Sequence, residues 1–395
     1  MEQGKSVNWR RGFPRQPREI TKEWVQFLLQ EEIPECPPLR SVRYEPIGTG
    51  QMGQNVRLFL EYAGTAHEAP SSLVLKFPSA DPLSRATGMA LRSYETEVRF
   101  YRTIARRIFL PAPRCYFARL EPRTGNFVIV LDDLGTAQPG DQLRPLTLKE
   151  VRAALSSLAR IHGATWNHPK ISQFFWLAKP SSERAQEVAE FFQAAVPEFL
   201  SRYRSQLDAE HIEVIEEFAP RFAEWMRLQR PPFALLHGDF RPDNLLFVPI
   251  NRKRLRAFVV DWQTASFGPP ASDVAYLLGG SLEPRDRRRW ESRLLEYYRL
   301  RALHHQGRSR GNRPPPPFGM SSVRMQAEYR LFAFSGLVMA VAASILVQRT
   351  ERGDQMFLTM LDRHVQQIID VDAFALFSPK EQERLRALSP GDTTR

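Results

Sequence analysis

Three oxygen-bearing side chains in this 395-residue chain stand at spacings that suit the handling of a phosphoryl group. Asp239 and Asn244 lie five residues apart in His237-Gly238-Asp239-Phe240-Arg241-Pro242-Asp243-Asn244, a loop that runs at once into an apolar strand. Asp261 closes a second apolar stretch, Val259-Val260-Asp261. Phosphoryl transfer needs a carboxylate that accepts or orients the proton of an acceptor hydroxyl, and oxygen ligands that hold a divalent cation against the phosphates. Asp239 suits the first task. The amide oxygen of Asn244 and the carboxylate of Asp261 suit the second, with magnesium as the cation. Gly-Asp and Asp-Asn are also turn-forming pairs, so a plain turn is the competing reading of the loop alone; Asp261 in register on its own strand weighs further toward a site. Arg241 is placed to reach a transferred phosphate and stabilise developing charge, although an exposed loop arginine looks the same in sequence.

A second group of residues suits a nucleotide. Gly48, Gly50 and Gly53 form G-x-G-x-x-G between two strand-like segments, where backbone amides can approach phosphate oxygens. A glycine pattern by itself is more often a hairpin turn. Its weight comes from Lys76, inside the apolar run Leu73-Val74-Leu75-Lys76-Phe77, where an ammonium is costly without a partner. On the helix expected over Ala90 to Arg107, Glu97 falls at the edge of the apolar side and Glu95 points to solvent, so Glu97 is the partner expected for Lys76.

These side chains need elements to hold them. A short helix over Thr21 to Gln30 precedes strands at Val42–Ile47, Asn55–Tyr62, Leu73–Phe77 and Phe127–Leu131, which with the Ala90 helix make a small mixed lobe. Beyond Gly135 the pattern turns helical. Thr147 with Glu150 reads as a capping box, and helices are expected at Ser182–Tyr203, Ala209–Leu228, Glu283–Leu303, Ser322–Val347 and Gly353–Ile369. The division is a segment 1–40, a small lobe 41–133, a helical lobe 134–377 and a tail 378–395. Gly307 to Pro317, basic with four prolines in a row, reads as a flexible insertion. His237 is expected to be a structural hydrogen-bonding residue, Asp273 to brace the loop from a helix N-terminus, and His162 to be a satisfied core histidine.

Composition narrows the class. The polar, arginine-bearing N-terminus does not read as a secretory signal, and two cysteines, Cys36 and Cys115, are too few for a disulfide framework, which fits a reducing cytoplasm. The apolar run Leu331 to Val347 reads as a buried helix and not a membrane span. A net charge of +11 favours anionic partners, but the cations are spread over several clusters that read as solvated faces, so no specific nucleic-acid partner is expected.

The chain resembles the aminoglycoside phosphotransferase and choline kinase superfamily. His237-Gly238-Asp239 with Asn244 is similar to its catalytic loop, Asp261 to its metal-binding aspartate, and Lys76 with Glu97 to its nucleotide lysine and glutamate. Asp261-Trp262-Gln263, Gly268-Pro269-Pro270 with Asp273, and the tail with Tyr298 and Tyr329-Arg330 look most like the ecdysteroid-kinase-like branch. The resemblance spans roughly Glu23 to Asp372. It implies an α+β, two-lobed protein-kinase-like fold and the use of ATP and Mg2+. Trp262-Gln263 replaces the Phe-Gly that follows the magnesium aspartate of protein kinases, so no activation-loop switch is implied.

The expectation is therefore a magnesium- and ATP-dependent kinase acting on a hydroxyl of a small molecule. The chain between Gly268 and Asp273 is too short for a long activation segment, which disfavours a peptide acceptor. Apolar residues on the C-terminal helices suit a sterol-like or antibiotic-like molecule, or simply a core. The alternative is a catalytically silent kinase-like protein that binds nucleotide or an anionic polymer.

Overall fold

A computed structural model describes residues 12–48, 52–65, 68–309 and 320–388. Gly50 and most of the Gly307–Pro317 insertion lie outside these residues. The chain forms two compact units, Met1–Thr136 and Ala137–Arg395.

In the first unit, Thr21 caps α1 (Lys22–Glu32) by accepting a hydrogen bond from Trp24 N. The strands β1 (Leu39–Ile47), β2 (Gly53–Tyr62) and β3 (Ser72–Pro78) are followed by α2 (Pro82–Ala90) and α3 (Ser93–Arg99). After α3 come a π-helical turn Phe100–Ala105, β4 (Cys115–Glu121) and β5 (Asn126–Asp132). The sheet is antiparallel in the order β1-β2-β3-β5-β4. Val56, Leu58 and Leu60 alternate into the core of this unit beside Leu73, Leu75 and Trp24. Both cysteines are here, free and buried, and burial pushes the Cys115 thiol up to about 12.

The single helix expected over Ala90–Arg107 is instead two. Arg92 takes a left-handed conformation (φ 56°) that ends α2 and restarts the chain as α3. The turn lets the Tyr94 ring lie against Gly88, where a Cβ would stand 2.6 Å from the ring. That close approach accounts for the break.

The second unit is mainly helical. It contains β6 (Gln138–Pro139), α4 (Leu148–Thr165), α5 (Ser182–Tyr203), α6 (Ala209–Phe218), α7 (Phe222–Arg227) and β7 (Ala234–Leu236). Then follow β8 (Leu245–Asn251), β9 (Arg254–Val259), β10 (Ser266–Gly268), α8 (Ala271–Ser281), α9 (Pro284–Ser309) and α10 (Ser322–Leu331). The chain closes with α11 (Ser335–Leu346), α12 (Glu351–Asp370) and α13 (Pro379–Ala387). Thr147 and Glu150 form the reciprocal capping box of α4. Two helices expected to run unbroken are interrupted. Pro220, which has no N–H, sits in the 3-10 turn Ala219–Arg221 between α6 and α7. The turn Phe332–Phe334 separates α10 from α11 where the Leu331 carbonyl accepts from Trp225 Nε1 at 2.7 Å. Ser322–Leu346 is long and apolar enough to cross a membrane, yet 56% of its most apolar window is buried inside the fold. Ser378 caps α13, so the tail is helical from Pro379 through Ala387.

Candidate active site

The loop after β7 is shaped by backbone constraints before any side chain acts. Gly238 has φ 82°, and a Cβ there would stand 2.5 Å from the Thr264 carbonyl, so this turn requires glycine. Thr264 Oγ1 donates to the His237 carbonyl at 2.8 Å, tying the loop to the segment after β9. Leu245 pairs with Val259 in the β8–β9 ladder, and Val260 N donates to the Asn244 carbonyl at 3.0 Å. Asn244 and Asp261 are thereby held at the same end of one hairpin. Asp261 has φ 64°, an unusual conformation for a residue with a side chain.

The Asp239 carboxylate is the centre of a dense set of donors. Tyr276 Oη donates to Oδ1 at 2.8 Å, Arg241 Nε lies 3.1 Å from both oxygens, and Asn244 Nδ2 donates to Oδ2 at 2.9 Å. Asn244 Nδ2 also reaches the Asp239 carbonyl at 2.8 Å. Both of these partners are acceptors, which fixes the orientation of the Asn244 amide, so its oxygen is the atom that could bind a cation. One amide oxygen and one carboxylate fit magnesium, which takes few protein ligands and completes its shell with water and phosphate. Among the described residues no cluster of three or more His, Cys, Asp or Glu side chains is placed to hold a metal.

Arg241 is not extended into open space. Its guanidinium also donates to Asp243 Oδ2 at 2.6 Å and lies 3.2 Å from Met356 Sδ on α12. Burial works against its charge, but the Asp239 and Asp243 carboxylates outweigh that and raise its pKa. Asp243 is buried too, and Arg241 outweighs that cost and lowers its pKa. Gln142 N and Arg352 complete the shell of Asp243.

Asp273, on the first turn of α8, holds the loop from beneath. It accepts from His237 N at 2.7 Å and Gly238 N at 3.0 Å. His162 Nε2 lies 3.3 Å from the same carboxylate, and His162 Nδ1 lies 2.7 Å from Tyr298 Oη. Burial alone would raise the Asp273 pKa, but the hydrogen bond from His162 and the surrounding charge lower it. His237 Nδ1 accepts from Asp239 N at 3.3 Å, so Nε2 carries the proton that it shares with the Val260 carbonyl at 3.0 Å.

Two contributors were not singled out in the sequence. Tyr276 follows Asp273 by three residues, hence on the same face of α8, and that spacing was the available signal. His364 on α12 stacks on the Tyr276 ring at 5.6 Å with an interplanar angle of 8°. Nothing in the sequence links the two, which are 88 positions apart.

In the first unit, Lys76 Nζ lies 2.8 Å from Glu97 Oε2, with both side chains buried. Such a pair fixes an ammonium that a sheet interior would otherwise exclude. Asn55 pairs with Lys76 across β2 and β3, and a Cβ at Gly53 would stand 2.9 Å from the Phe77 carbonyl and 3.3 Å from Lys76 Cε. The end of the glycine turn is therefore pressed against the lysine. Gly48 opens that turn with φ 73°, while Gly50 lies outside the described residues.

The fold is that of the two-lobed kinase-like proteins. Choline kinase from Cryptosporidium parvum Iowa II superposes with a TM-score of 0.55 over 90% of this chain and 98% of its own, at 12% identity. Plasmodium vivax ethanolamine kinase gives 0.53 over 88% and 89%, at 8% identity. The chain belongs to the ecdysteroid kinase-like family, whose profile matches residues 48–308. Over 58 residues it is 41% identical to acyl-CoA dehydrogenase family member 11 of Gallus gallus; those residues are 14% of this chain and 7% of that protein's length.

Proposed function

We propose that the chain transfers the γ-phosphoryl group of ATP to a hydroxyl of a small molecule. The observation that carries this reading is the Asp239 carboxylate, oriented by Tyr276, Arg241 and Asn244. Asp239 takes or orients the proton of the acceptor hydroxyl. Asn244 and Asp261 hold Mg2+, which when bound neutralises phosphate charge. Lys76, held by Glu97, pairs with the phosphates of the nucleotide, and the turn carrying Gly48, Gly50 and Gly53 supplies backbone amides to them. Arg241 moves part of its hydrogen bonding from Asp239 to the transferred phosphate.

The chain runs from β10 (Ser266–Gly268) almost directly into α8 (Ala271–Ser281), which leaves no long segment to seat a peptide and supports a small-molecule acceptor.

The test has two arms. Calorimetric titration of Mg·ATP into wild type and Asp239→Asn should give similar affinities. Mass spectrometry of a cell extract incubated with ATP should show phosphate addition that falls on the order of 1000-fold in the variant. Arg241→Ala should lower turnover more than ATP affinity. Tight ATP binding with no phosphorylated product from wild type would favour the silent nucleotide-binding alternative.

A further inference from the structure

A cationic face lies on the helical unit, built from α4, α9 and the β8–β9 hairpin. Helix α4 packs against both α9 and β9, with Ser157 Oγ donating to the Ala257 carbonyl of β9 at 2.6 Å. Lys149 Nζ donates to the Arg252 carbonyl at the hairpin turn, at 3.2 Å. Ser156 Oγ and Tyr297 Oη are 2.7 Å apart, which joins α4 to α9. Lys149, Arg152, Arg252, Lys253, Arg254 and Arg301 are exposed on these elements, and among the described residues none has a carboxylate partner. The neighbouring acids are already engaged: Glu150 with Arg144, and Glu296 with Arg299. The same elements also expose three aliphatic side chains, Leu148 of α4, Ile250 of β8 and Leu300 of α9, respectively 37%, 48% and 53% exposed.

We infer that this face docks the protein on an anionic lipid surface. Unpaired cations supply attraction to acidic headgroups, and exposed aliphatic side chains on the same elements supply the insertion that headgroup attraction alone lacks. A nucleic acid would use the cations through its phosphates but would leave the aliphatic side chains in water. The one aromatic ring at the centre, Tyr297, is already covered by the Arg152 and Arg301 guanidiniums at 4.8 and 4.7 Å. The inference is independent of the phosphotransfer reading, because none of these residues belongs to the candidate active site.

Sedimentation of the full chain with sucrose-loaded vesicles tests it. The protein should partition onto vesicles containing phosphatidylserine and not onto phosphatidylcholine alone, and the binding should weaken as salt is added. Combined Arg252→Glu, Lys253→Glu and Arg254→Glu should lower the partition coefficient on the order of 100-fold. The pair Ile250→Ser and Leu300→Ser should lower it several-fold while preserving the salt dependence, with circular dichroism melting used to select folded variants. Equal partition onto both vesicle types, or no partition onto either, would overturn the proposal. So would vesicle binding that is indifferent to the aliphatic pair, or binding to a single-stranded RNA in place of vesicles.

Discussion

Tyr276 is held so tightly that its hydroxyl has essentially one use. The ring is buried against His364, and burial, together with the neighbouring Asp239 charge, raises its pKa well above the ordinary value, so it remains a donor to Asp239 at any working pH. Tyr276→Phe keeps the stack and removes only that donor. If Asp239 is the base, γ-phosphoryl loss from ATP should slow about tenfold with little change in Mg·ATP affinity, as read by single-turnover kinetics. His364 has a consequence of its own. Burial lowers its pKa from 6.5 to about 4. Above pH 6.5 the folded and unfolded chains both keep this imidazole neutral. As the pH falls toward 4 only the unfolded chain takes up the proton, so stability is lost, by about 3 kcal/mol from this group at roughly 1.4 kcal/mol per unit. Urea midpoints should fall between pH 7 and pH 5, and the fall should be shallower in His364→Gln.

At the scale of elements, α8 connects most of what the site needs. Its first turn supplies Asp273 to the loop backbone, its next turn supplies Tyr276 to Asp239, and its last turn carries Gly279 and Gly280 against His364. On the other side, a Cβ at Gly336 of α11 would run into the same imidazole. Since both α8 glycines already press on His364, the ring has no room to retreat. Gly336→Ala should therefore destabilise the protein by about 2–3 kcal/mol, measured by urea unfolding, despite the better helix propensity of alanine. Much of this framework was legible in sequence. Apolar alternation located β2, continuous apolar runs located β3 and β5, a helical wheel paired Glu97 with Lys76, and Asp273 was read as a brace. The missing parts depend on contacts that periodicity does not encode. The α2–α3 break is decided by Tyr94 meeting Gly88, the α10–α11 break by Trp225 taking the Leu331 carbonyl, and the stack on Tyr276 by a residue from another helix.

Over the whole molecule, the candidate site residues are divided between the two units. The lysine–glutamate pair and the glycine turn belong to the first, and the Asp239 loop with Asp261 to the second. Charge is unevenly used as well: arginines such as Arg241, Arg287 and Arg324 are ion-paired with carboxylates, while those of the α4–α9 face stay on the surface. The two cysteines give this division a practical handle. Cys36 and Cys115, the chain's only thiols, both lie in the first unit, are buried, and have raised pKa values, with burial the first cause for each. A native sample pulsed with an alkylating reagent should stay unlabelled. With increasing urea, the mass added per pulse should follow the opening of the first unit alone, whereas intrinsic fluorescence is weighted toward the second unit, which holds Trp166, Trp176, Trp225, Trp262 and Trp290, five of the chain's seven tryptophans. The ratio of the two midpoints would reveal whether the two units unfold together or separately, without a single engineered label.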